Sequence, residues 1–137
     1  MLIQCTKKSS EPQNNIAQEW VKKGDSDLIA AKILALQEGL ENQTGFHCQQ
    51  AIEKWLKAYL IKKGEEIRKI HDLTALIIEC EKYDPDFEEL EYIVEGITDF
   101  AVDFRYPGEN ATPEEVKDAL NKTGKVRDFI IPKIEES

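Results

Sequence analysis

Cysteine is scarce in this 137-residue chain, and Cys5, Cys48 and Cys80 are odd in number and far apart. That rules out a disulfide framework and leaves the cysteines as small core residues, two of them on apolar helix faces. No C-x-x-C or H-x-x-x-H spacing links Cys48 and Cys80 to His47 and His71, the only two histidines, so no metal site is expected. An apolar run approaching about 18 residues is missing, as is a signal-like start, and the expectation is a soluble, cytoplasmic protein with no membrane association. P-loop, G-x-S-x-G, zinc-protease and Rossmann patterns are also absent, which removes the familiar enzyme classes and any expected cofactor. Sustained β-alternation is lacking too, and no long repeat is visible.

Positive charge is outweighed, with 18 Lys and Arg against 27 Asp and Glu for a net of −9. Phosphate neutralisation supplies most non-specific nucleic-acid affinity, so this balance argues against a general nucleic-acid binder. The distribution qualifies that. From Glu79 to Asp99 there are nine acids and one lysine, whereas from Glu53 to His71 there are six bases and three acids. One side of the molecule is expected to be acidic and another basic, and an anionic ligand would meet the basic side.

What is present is helical periodicity. A chain of this length is one domain, able to bury roughly two-thirds of its unfolded surface. Residues 1–13 lack periodicity and are read as a flexible arm, with the helical domain over 14–137. Ile16, Trp20, Leu28, Ala31 and Leu34 or Ala35 form a first stripe, in which Gly24 is a local weakness. A second helix follows, with Thr44 as N-cap and Gly64 as terminator. Asp72 is placed to cap a third. Asp84-Pro85 opens a fourth with the stripe Phe87, Leu90, Val94, Ile97, Ala101 and Phe104, which Pro107-Gly108 stops. Thr112-Pro113-Glu114-Glu115 is a capping-box pattern, and Val116, Leu120, Thr123 or Val126, and Ile130 carry a fifth helix towards Pro132. The expected fold is all-α: an antiparallel bundle of about five helices, with the apolar second and fourth at its centre. Apolar surface on more than one face of those two leaves room for a two-fold dimer.

The stretch FHCQQAIEKWLKAYL, Phe46 to Leu60, is the most informative. At about 100° per residue, Cys48, Ile52, Trp55, Leu56, Tyr59 and Leu60 share one side, and Phe46, Gln50, Glu53 and Lys57 the other. Downstream come HDL at His71 to Leu73 and FRYPG at Phe104 to Gly108. In this order the three motifs resemble the HEPN family over about Ala17 to Ile134. The resemblance implies a small helical domain of prokaryotic toxin–antitoxin and nucleotidyltransferase-associated systems. It further implies a homodimer and a separate nucleotidyltransferase partner.

Arg105 and Tyr106 end a long apolar helix, where a guanidinium can fork onto phosphate oxygens and a ring can stack on a base. The plainer roles there are dipole compensation and packing. His71 can cap the third helix or serve as an acid, base or hydrogen-bond donor. Gln50, Glu53 and Lys57 line one face, with Lys54 at its margin. They form a polar seam between helices, or else the lysines contact phosphate, countered by Glu53 unless it pairs with a base. His47 lies beside that strip with no spacing that favours it as a catalyst. The nucleotide- or phosphate-binding set is therefore Gln50, Lys54, Lys57, His71, Arg105 and Tyr106. No catalytic residue is assigned beyond the candidates His71 and Arg105.

Ribonuclease members of the family use an Arg followed four to six residues later by His. Here Arg68, Arg105 and Arg127 are followed at those positions by other residues. The expectation is thus a protein that binds a nucleotide or RNA phosphate and acts with a nucleotidyltransferase, without that ribonuclease motif. One alternative is a divergent ribonuclease toxin using Arg105 and His71. The other is a non-catalytic interaction module whose acidic face docks a basic partner.

Overall fold

A computed structural model describes residues 11–66, 69–102 and 110–136. Among these residues there are five α-helices, α1 (Glu11–Leu34), α2 (Glu41–Lys62), α3 (Leu73–Glu81), α4 (Leu90–Val102) and α5 (Pro113–Glu136), with a 3₁₀ turn at Pro85–Glu89 before α4. None of the described helices is long and apolar enough to cross a membrane. The first helix starts at Glu11, inside the segment expected to be an arm, and Arg105, Tyr106 and the rest of FRYPG lie outside the described residues.

α2 is the axis of the bundle. Cys48, Ile52, Trp55, Leu56, Tyr59 and Leu60, the apolar side read from the sequence, are all buried. α1 lies along α2 in the opposite direction, since Asp27 meets His47 near the start of α2 while Trp20 meets Lys57 near its end. α5 runs with α2: Thr123 meets Cys48, Arg127 lies over Trp55, and the Ile134 carbonyl accepts Lys62 Nζ at 3.1 Å. The chief neighbours of α2 are thus the two 24-residue helices rather than the 13-residue α4.

Local chemistry sets most boundaries. Asp72 accepts from the Thr74 and Ala75 amides at the start of α3, and Asp84 accepts from the Asp86 amide before the 3₁₀ turn. Thr112 and Glu115 form a reciprocal capping box at 2.8 and 3.1 Å. After α2, Gly64 takes φ +96°; its amide reaches the Ile61 carbonyl and the Glu65 amide reaches that of Leu60, the Schellman pair of bonds.

Four expectations need correction. Thr44 does not cap α2, which begins three residues earlier; its hydroxyl donates to the Leu40 carbonyl from within the helix. Ile16 is 43% exposed and Ala17 is buried in its place, while Leu28 and Ala31 of the expected stripe are buried. Gly24 is a point of close approach: a Cβ there would stand 2.6 Å from Trp55 Nε1. Pro132 lies inside α5 rather than at its end, because burial of Ile134 and the Lys62 bond to its carbonyl hold the last turn in place.

Phe87 joins the 3₁₀ turn to the core, with its ring 4.5 Å from Tyr59 and 5.1 Å from Phe129, the second contact edge-on. Each such fully buried side chain stabilises by about 1.5–3 kcal/mol. Burial also pushes the Tyr59 phenol up to about 12.

Candidate functional site

The interior of α2 contains one ion pair. Glu53 and Lys57, four residues apart, have side chains only 5% and 7% exposed, and Lys57 Nζ donates to Glu53 Oε2 at 2.9 Å. Spacing of i,i+4 brings them together, and Trp20 of α1 covers the ammonium, with its ring centroid 5.8 Å from Nζ.

His71 completes the cluster from outside α2. Its Nδ1 lies 2.9 Å from Glu53 Oε2. An ionised carboxylate has only acceptors, so Nδ1 carries the proton and Nε2 is left for other chemistry. The His71 side chain is 74% exposed, in contrast to the carboxylate that holds it. Its backbone is fixed as well, because the Gln49 amide donates to the His71 carbonyl at 3.2 Å while Asp72 caps α3 next door. Gln49 Nε2 also lies 3.5 Å from Glu53 Oε1, and Gln50 donates to Gln49 Oε1 at 3.0 Å. A buried charge pair therefore presents one oriented, accessible imidazole.

A related arrangement joins α1 to α2. Asp27 Oδ1 accepts His47 Nδ1 at 2.8 Å, and Lys54 Nζ donates to Asp27 Oδ2. His47 is 32% exposed and Asp27 is 12% exposed. Two residues earlier on α1, Asp25 takes the Arg127 guanidinium in a two-pronged contact and also the Trp55 indole N–H.

Of the residues singled out from the sequence, Gln50, Lys57 and His71 come together. Lys54 belongs to the neighbouring Asp27 group, and Arg105 and Tyr106 lie outside the described residues. Neither lysine presents an uncompensated charge for phosphate, since Glu53 engages one and Asp27 the other. The sequence reading left out Gln49 and Asp27. Nothing in the spacing points to Gln49, whereas Asp27 beside the apolar Leu28 of α1 is a weak signal.

The acidic side is separate. A cavity of about 650 Å³ there is lined by Pro85, Tyr92 and the carboxylates of Asp86, Glu88, Glu89, Glu91 and Glu95. Glu81 Oε2 is buried with no donor among the described residues. The Glu91 carboxyl beside it, then burial, pushes the Glu81 acid up to about 7, because two carboxylates share that space only by sharing a proton. Lys133 is held at the far edge by Asp84 at 2.6 Å and Asp86 at 3.2 Å, and its hydrogen bond holds the Asp84 carboxyl below the usual range.

A family model described as the HEPN domain matches residues 17–134, most of the chain and all of the His71 and His47 groups. The chain belongs to the HEPN family. No curated protein and no solved structure matches it. In this HEPN chain neither histidine follows an arginine by four to six residues, and both are instead held by carboxylates from α1 or α2.

Proposed function

We propose that this HEPN protein binds a nucleotide or RNA phosphate at His71 and acts with a separate nucleotidyltransferase, as a homodimer. The observation that carries the ligand reading is the 2.9 Å contact between buried Glu53 and exposed His71. A carboxylate at Nδ1 fixes the imidazole's direction, and an imidazolium held in that way donates a charge-assisted hydrogen bond from Nε2 to a phosphate oxygen. Lys57 balances Glu53, so the charge gained on protonation is expressed at the surface. Partner and dimer rest on family membership.

Calorimetric titration with ATP and with a short RNA, comparing wild type with His71→Ala and Arg105→Ala, tests the reading. Saturable heat that disappears in His71→Ala supports it. Undiminished affinity in that variant removes His71 from any site.

The same observation favours a second reading, a divergent ribonuclease in which His71 moves the proton during RNA cleavage. A carboxylate-held imidazole is suited to acid–base work. Its test is cleavage of a structured RNA that is lost in His71→Ala; no cleavage at any protein concentration ends it.

A further inference from the structure

Isolated exposed aliphatic side chains are ordinary on a protein surface, but three of them line up at the end of α1. Ile29 and Ile33 are each 58% exposed and stand four residues apart, so they share one face of the helix. The Leu36 amide reaches the Ile33 carbonyl at 3.1 Å, which keeps the chain turning past Leu34 and adds Leu36 to the row at 81% exposure. The opposite side of α1 is the one that carries buried Leu28 and Ala31.

Beside Leu36 is a hollow of about 240 Å³, where the end of α1 meets the starts of α2 and α5. Its wall is mostly apolar, built from Ala35, Leu120 and the buried Thr44 and Val116. Ala35 and Gln37 both line it, whereas Leu36 between them stands out in solvent. One patch thus holds an apolar knob and an apolar hole. Such a surface fits a copy of itself about a two-fold axis, where each knob enters the other's hole.

Charge points to the same occupant. Each chain carries −9, so two copies repel wherever acidic surface meets acidic surface. The rim of this patch is balanced instead, with Lys32 and Lys117 against Glu38 and Glu41. A basic partner would be drawn to the carboxylates around Tyr92 rather than here.

We propose that Ile29, Ile33 and Leu36, with the hollow beside them, form the interface between two copies of this chain, Leu36 of each filling the hollow of the other. This rests on the homodimer named above and assigns its surface; it is independent of the ligand at His71.

The test is light scattering on a sizing column over a range of protein concentrations. Wild type is expected to be a dimer. Leu36→Asp and Ile33→Asp, both at exposed positions, are each expected to raise the dissociation constant about hundredfold with unchanged helical circular dichroism, since every change is made twice across a two-fold interface. Tyr92→Asp, a comparably exposed change on the acidic face, is expected to leave the dimer intact. Lys32→Glu with Lys117→Glu, and separately Glu38→Lys, should each weaken self-association. A one-to-one mixture of those two proteins should restore it, because their rims then differ in sign. A dimer that survives both Leu36→Asp and Ile33→Asp lies on another face, which overturns the proposal while the homodimer reading stands. A monomeric Tyr92→Asp, or a mixture no more associated than its separate components, overturns it too. Wild type that is monomeric at every concentration removes the homodimer reading as well.

Discussion

Glu53 Oε2 receives two donors at one distance, Lys57 Nζ and His71 Nδ1, each at 2.9 Å. The first bond lies in the interior and the second leads to solvent. Removing the carboxylate therefore has two effects, a buried ammonium without a counter-charge and an imidazole without its anchor.

Glu53→Gln is expected to lose about 3–5 kcal/mol, the usual cost of breaking a buried pair from one side. Combining it with Lys57→Met should recover much of that loss, because no buried charge then remains. Urea denaturation of the two variants checks this. A single variant as stable as wild type would mean that Lys57 reaches water.

Gly24 and Gly124 make opposite predictions from the same substitution. Alanine gains helix propensity at both, but at Gly24 its Cβ would stand 2.6 and 2.7 Å from the Trp55 ring and 3.1 Å from the Ala51 carbonyl. Trp55 cannot retreat, since it is fully buried and its N–H is bound to Asp25. Overpacking outweighs propensity, and Gly24→Ala should lose about 1–2 kcal/mol. At Gly124 nothing lies within 4 Å, so alanine should stabilise by about 0.5–1 kcal/mol. Thermal denaturation of both variants decides, and a stabilised Gly24→Ala would refute the close approach of α1 to α2.

The faces of α2 and the caps at Asp72, Asp84 and Thr112 were legible because each rests on local chemistry within a few residues. Gly64 was legible for the same reason. The buried face of α1 was legible only in part: Leu28 and Ala31 were, whereas Ala17 and Gly24 are too small to stand out beside Ile16, which is exposed. The site divides along the same line. Glu53 and Lys57 are four residues apart and visible as a pair, whereas His71 reaches Glu53 across 18 residues and Asp27 reaches His47 across 20. Pairings at that range depend on how α1 and the segment before α3 lie against α2, which periodicity does not encode.

Glu81 predicts a pH dependence. Its acid rises in the folded protein from 4.5 to about 7, chiefly through Glu91, so the native state holds a proton that the unfolded chain releases. This contribution is fully present below about 4.5 and is lost as pH rises through about 7. Asp84, held low by Lys133, acts in the opposite sense and in a lower window: its contribution is present above 3.8 and fails as pH falls through its lowered value. Between pH 5 and 8 the Glu81 effect should dominate this comparison. The difference in melting temperature between Glu81→Gln and wild type should grow in favour of the variant across that interval. A constant difference would show that the two carboxyls do not share a proton.

Asp25 predicts an asymmetry between the two partners of one ion pair. Its Oδ1 accepts both the Arg127 Nε–H at 2.9 Å and the Trp55 indole N–H at 3.1 Å, while Oδ2 takes a second guanidinium N–H at 3.0 Å. The side chains of Arg127 and Asp25 are 37% and 33% exposed, so the charge pair itself is worth at most about 1 kcal/mol. Trp55 has no exposure, and truncating Asp25 strands its buried N–H at a cost of about 1–3 kcal/mol. Asp25→Ala should therefore be the more destabilising change, even though Arg127→Ala also uncovers the ring that the guanidinium faces at 6.0 Å. A double-mutant cycle with Trp55→Phe separates the contributions: once the indole N–H is gone, most of the excess cost of Asp25→Ala should go with it. Equal losses for Asp25→Ala in the Trp55 and Phe backgrounds would mean that the indole bond contributes nothing and that the pair with Arg127 is what joins α1 to α5.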